Sequence, residues 1–161
     1  MVTATDPLRI AILGRPWIEV PPRGHGGVER VCAILIDELV RRGHDVTLIG
    51  VGRNGTAATF HATYPTPQIR HGVSLIPELA HAARARQVLA AGSFDIVHDH
   101  TLIGPLLGEF IDTPTLSTVH DPVIGDETSD KYTLLGDYYA ALGDRANLVA
   151  ISRAQRADRP E

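Results

Sequence analysis

The chain has 161 residues, 15 Lys and Arg against 19 Asp and Glu, and a formal net charge of −4. That length supports one domain with a real core, burying roughly two thirds of the surface its unfolded form exposes, and argues against two full domains. Scattered basic residues outnumbered by acids form no basic stripe, which disfavours nucleic acid as a partner, and a single cysteine, Cys32, excludes an internal disulfide framework.

In chain order, the N-terminus holds only the short apolar run "IAIL", too brief for a signal-peptide core, and no stretch approaches the roughly 20 apolar residues that span a bilayer. A cytoplasmic protein is expected, with peripheral membrane contact left open. "RIAILG" (9–14) reads as the first buried strand, bounded by a glycine. A Gly-rich loop follows, and then Val28, Val31, Cys32, Leu35, Ile36, Leu39 and Val40 recur at helical spacing as one apolar face. Arg41 and Arg42 close that helix where cations suit its dipole, and Gly43 stops it.

"DVTLIG" (45–50), "DIVHDH" (95–100), "TPTLSTVH" (113–120) and "ANLVAIS" (146–152) read as further buried strands, with "ATFHATYPTP" (58–67) a weaker sixth. Helices are expected over 75–91, 101–111 and 128–142, the last with Tyr132, Leu135, Tyr139 and Leu142 on one side. Ser152 and Gln155 form a capping box for a short final helix. Strands alternating with helices imply right-handed βαβ units, hence a single Rossmann-like α/β domain built on a mostly parallel, doubly wound sheet.

Ligands of open α/β sheets bind beyond the carboxyl ends of the strands, so residues just after strands are the candidates. Before the first helix stand Gly24, Gly26 and Gly27, with no Ser, Thr or Asp to cap the orphan N–H groups. Those donors suit an anion such as a phosphate; the glycines equally suit a tight turn and close packing. A dinucleotide fingerprint is disfavoured, because Gly14 leads into a long excursion and the second strand ends in Gly50 instead of an acid. His98 and His100 share a strand face with Asp99 opposite, compatible with hydrogen-bonded strand-end histidines or with two ligands of a zinc site. His120 ends another strand, where an imidazole serves acid–base chemistry or a phosphate contact. Glu29 suits the helix dipole and faces the strand ends, whereas Glu19, Asp112 and Asp126 read as solvated.

"PPRGHGGVERV", "LVRRGHDVTLIG", "FDIVHDHT", "STVHD" and "LVAISRAQ" together resemble the N-terminal half of family 4 glycosyltransferases of the GT-B fold, in the branch with a Pro-Pro-x-Gly-Tyr-Gly-Gly loop. The resemblance implies a retaining, metal-independent transferase that uses a nucleotide-diphosphate sugar and needs no cofactor, with this chain as the acceptor-side domain over 1–161. It implies Gly26 and Gly27 at the donor diphosphate, His120 at the reacting centre, and Glu29, His25, His98, His100 and Thr101 on the acceptor side, with no metal ligand among them. His25 stands where the branch has Tyr. The family's donor-binding C-terminal domain, with its E-x7-E motif and Arg/Lys pair, is absent from this sequence, so the end at Glu161 reads as a cut near a domain boundary and the chain alone as inactive. Two other readings stay open: a binding or scaffold domain completing a cleft with a partner chain, and a small stand-alone nucleotide-binding enzyme.

Overall fold

The structure is a computed structural model that describes residues 6–108, 111–121 and 130–157; Asp126 and the side chain of Tyr132 lie outside its described residues. Six strands form one all-parallel sheet: β1 (Arg9–Leu13), β2 (Asp45–Val51), β3 (Thr59–Tyr64), β4 (Ile96–Asp99), β5 (Thr115–Val119) and β6 (Leu148–Ala150). Their spatial order is β3-β2-β1-β4-β5-β6. The order reverses between β1 and β4, the position where open α/β sheets leave a crevice beyond the strand ends. Leu13 pairs with Ile49 on one side and Asp99 on the other, and Asp99 pairs with Ser117, so the ends of four strands come level beneath one rim.

The helices are α1 (Gly27–Arg41), α2 (Leu75–Ala91), α3 (Gly104–Gly108), α4 (Asp130–Leu142) and α5 (Arg153–Ala157). Alternation along β1 sends Ile10 and Ile12 to one face, where they pack with Val46 and Leu48 against Cys32, Ala33 and Ile36 of α1. Ala11 and Leu13 face the other way, joining Ile49 and Val97 against Ala85 and Leu89 of α2. Complete burial of side chains such as Ile12, Ile36 and Leu48 contributes about 1.5–3 kcal/mol each, so the sheet centre is the best-held part of the fold. Cys32 lies in that core, and burial pushes its thiol up to about 12, the behaviour of a packing residue.

Three expectations need correction. The buried stripe of α1 runs Glu29, Cys32, Ala33 and Ile36, while Val31 is 49% exposed: the helix is rolled so that a carboxylate, not a valine, turns inward. β6 is an edge strand rather than a buried one, with Leu148 and Val149 each 37% exposed, because it pairs only with β5 and no described helix covers it. Glu19 is not merely solvated; it accepts a hydrogen bond from the Arg53 amide and pairs with Arg23. On α4, Leu135, Tyr139 and Leu142 do share one buried side and pack on Val119. Asp112 is exposed, as expected.

Candidate functional site

The first wall of the rim is the start of α1. Gly26 is the N-cap residue, with φ 149° and no side-chain capping bond, so it offers the first N–H groups of the helix no side-chain acceptor. Tight packing explains Gly26: its φ disfavours any side chain, and a Cβ there would lie 2.7 Å from the Cβ of Pro22. It does not explain Gly24 or Gly27, which have open space where a side chain would go. His25 is exposed beside them. Glu29, one turn in, is 4% exposed, with a carboxylate oxygen close to Gly26. Burial raises its pKa; its own backbone amide and the charge of Arg15 oppose that rise. No other described residue hydrogen-bonds its carboxylate.

The second wall is built at the ends of β4 and β5. The two-residue spacing places His98 and His100 on one face, and their rings stack at 4.4 Å between centroids. The His120 ring follows at 5.2 Å from that of His100, completing a column of three imidazoles. His98 Nε2 lies 2.7 Å from the Thr118 hydroxyl, and His100 Nδ1 lies 2.8 Å from His120 Nε2. Burial drives the pKa of His100 down to about 2 and that of His120 to about 4, with the Arg15 charge acting in the same direction on both. Around neutral pH the column is uncharged.

Asp99 turns to the opposite side of the strand, where its carboxylate accepts from the Thr101 amide at 2.6 Å. Complete burial raises it to about 7. A Cβ on Gly104 would collide with that carboxylate, which accounts for the glycine at the start of α3. Thr101 is itself buried and its hydroxyl accepts from the Gly104 amide. His100 and Thr101 therefore sit inside the wall, not on its surface, while His98 and His120 are half-buried.

Arg15 ties the rim together. Its Nε donates to the His100 carbonyl at 3.2 Å and its Nη2 meets the Asp121 carboxylate at 2.8 Å, so one guanidinium joins the strand ends of β1, β4 and β5. His81 of α2, completely buried, reaches the Gly14 carbonyl through Nε2 at 2.9 Å and Thr63 through Nδ1. Burial lowers its pKa to about 4, so it is neutral: Nε2–H donates to the carbonyl, and Nδ1 faces the Thr63 hydroxyl, whose single proton is also within reach of the Gly50 carbonyl. Glu78 accepts from the Leu102 amide at 2.7 Å and fixes the chain after Thr101. Sequence reasoning placed Arg15 in the loop after the first strand and Asp121 beside His120 at a strand end, without giving either a role, and singled out neither His81 nor Glu78. Arg15 and Asp121 each stand one or two residues past a strand, which was signal enough; His81 and Glu78 are hidden within a helix.

The structure thus brings His98, His100 and His120 into contact and sets Glu29 against Gly26, while no hydrogen bond or ion pair joins His25 to any other described residue. Among the described residues no three His, Cys, Asp or Glu side chains converge to hold a metal ion, and no helix is long and apolar enough to cross a membrane.

Sheet order and rim define a doubly wound α/β domain whose crevice pairs an uncapped helix start with a neutral histidine column. The chain belongs to Glycosyltransferase Family 4, whose pattern it matches over residues 25–158. It is also similar, at 26% identity and a TM-score of 0.59, to the crystal structure of AviGT4, a glycosyltransferase involved in avilamycin A biosynthesis; the match covers 94% of this chain and 38% of that one. No curated protein matches.

Proposed function

We propose that this domain forms the acceptor side of a retaining, metal-independent glycosyltransferase that moves a sugar from a nucleotide-diphosphate donor to an acceptor in the cytoplasm. The observation that carries the reading is the uncapped start of α1. Gly26 offers no side-chain cap, Gly27 leaves open space, and the free N–H groups with the helix dipole suit a diphosphate. Across the rim, neutral His120 supplies a hydrogen bond to the donor sugar or its phosphate without adding charge. Glu29, buried with no described donor beyond its own backbone amide, supplies acceptor oxygens that fit a hydroxyl of the acceptor. His25 and His98 contact the acceptor directly in this proposal, whereas His100 and Thr101 act from within the wall.

Stabilising a leaving diphosphate is a large part of such catalysis, and in this family the charges that do so belong to a second domain. The chain alone is therefore expected to bind pyrophosphate weakly and to transfer sugar at background rates. Gly27→Asp gives a sharp test, because an acid in the first turn favours the helix while occupying the anion's place. The variant is expected to unfold at an equal or higher temperature and to lose pyrophosphate binding by calorimetry. Unchanged binding removes the diphosphate assignment, and robust transfer by the isolated chain overturns the inactivity.

Peripheral contact with a membrane surface is part of the same proposal. Ile69, Val73, Leu75 and Ile76 are exposed before and at the start of α2, next in sequence to exposed Arg70, with exposed Arg84 and Arg86 further along the same helix, and the one acid of that stretch, Glu78, is buried. Apolar side chains flanked by cations suit an anionic bilayer surface. Cosedimentation with anionic but not neutral vesicles is expected; equal partitioning to both, or to neither, rules it out.

A further inference from the structure

His100 is 1% exposed, and its Nε2 is a buried polar atom with no hydrogen-bond partner among the described residues. Its other nitrogen, Nδ1, faces His120 Nε2 at 2.8 Å. A neutral imidazole carries one proton, so the contact has two arrangements. If His120 Nε2–H donates, His100 must carry its proton on Nε2, where a buried N–H has no acceptor. If His100 Nδ1–H donates, only a lone pair is left unpaired at Nε2. Orphaned buried N–H groups are rarer in native proteins than under-used acceptors, which selects the second arrangement.

We infer that His100 is a positioning residue: by donating Nδ1–H to His120 Nε2, it holds neutral His120 as the Nδ1–H tautomer. The Nδ1 of His120 has no hydrogen-bond partner among the described residues, so it is the nitrogen left to meet a ligand. In this tautomer it meets that ligand as a donor. The ligand atom it takes is an oxygen lone pair, such as that of a sugar hydroxyl or a phosphate, and His120 does not draw a proton from that oxygen. The consequence for the ligand rests on the glycosyltransferase reading; the tautomer does not.

The rest of the column supports the same arrangement. His98 stacks on His100 and is held at its own Nε2 by Thr118, while Arg15 fixes the His100 backbone through its carbonyl. The His100 ring is thus gripped from two sides, and its donor direction is set before any ligand arrives. Substituting Asn preserves a donor at nearly the place of Nδ1; substituting Phe preserves a ring for stacking and removes the donor.

Two-dimensional NMR of the imidazole nitrogens in the ¹⁵N-labelled chain at about pH 7.5 tests this. The expected result is His120 protonated at Nδ1 in the wild type and in His100→Asn, with a shift of most of its population to Nε2–H in His100→Phe. A wild-type His120 protonated at Nε2 overturns the inference even if neither variant folds, as does a His100→Phe protein whose His120 keeps Nδ1–H. Adding pyrophosphate separates the two claims. Unmoved His120 signals count against the diphosphate reading while leaving the tautomer assignment standing.

Discussion

The two walls of the rim are built on opposite plans. The α1 start offers backbone: an uncapped helix end, two glycines with open space in Gly24 and Gly27, and one buried carboxylate bonded by no described residue other than its own. The strand-end wall offers side chains that are already committed to one another, three stacked rings and a guanidinium that spans three strands. The first wall keeps its hydrogen-bonding capacity for something else. The second spends most of its capacity internally, ring on ring and guanidinium on strand ends. On the proposed function, a site assembled this way would hold His120 rigidly and take the donor's charge on main-chain donors, which need no side-chain ordering to bind it.

Acid should break the side-chain half first. His81 and His100 have pKa values near 4 and 2 when folded, below the roughly 6.5 of an unfolded histidine, so between those values the unfolded state binds protons that the folded state refuses. The stability these neutral rings give is present above about pH 6.5 and is lost as pH falls. At about pH 5.5 the loss is roughly 1 kcal/mol from each. Asp99, raised to about 7, acts in the opposite sense over that interval, so the urea midpoints at about pH 5.5 and about pH 7.5 are compared in an Asp99→Asn background, where a flat profile contradicts neutral burial of the histidines.

The glycine wall should divide within itself. Gly26→Ala, which forces a side chain into φ 149° against Pro22, is expected to cost about 2–3 kcal/mol in urea unfolding. Gly27→Ala meets open space at the first helical position and should change stability by no more than about 1 kcal/mol, in the stabilising direction. Equal costs at the two positions erase the distinction between packing and access.

A smaller cost than at Gly26 is expected at the tie between strands. Arg15→Met removes the cation facing Asp121 while keeping the apolar stem, and both side chains are partly exposed, at 19% and 32%. A loss of about 1–2 kcal/mol follows. A double-mutant cycle with Asp121→Asn should recover much of it, and strict additivity indicates that the two groups do not interact.

Most of the architecture was legible because the strands are short apolar runs punctuated by Gly, Asp and Pro, and because α1 carries an unbroken helical period. β3 was the weakest because it is an edge strand: Thr59, His61 and Ala62 are exposed, so alternation is blurred where one face has little to bury. The roll of α1 could not be read from periodicity, since Val31 and Glu29 both fit the helical spacing and only the rim explains why the carboxylate turns inward. The histidine column was half legible. A two-residue spacing puts His98 and His100 on one face, but contact with His120 requires that β4 and β5 be neighbours, and pairing order is a property of the whole sheet.

Gln155 gives the last helix a reach beyond its own length. Its Nε2 donates to the carbonyls of both Val119 and Asp121, each at 3.0 Å, while its Oε1 accepts from the Ile151 amide and its own amide donates to Ser152 Oγ. The two carbonyls flank His120 in sequence. One amide side chain therefore acts as a linkage rod between α5 and the backbone on either side of the imidazole, and tilting that helix while these bonds hold moves His120 with it. A side chain that reads in sequence as a helix cap is, in the folded chain, a mechanical connection from the edge of the sheet to the rim.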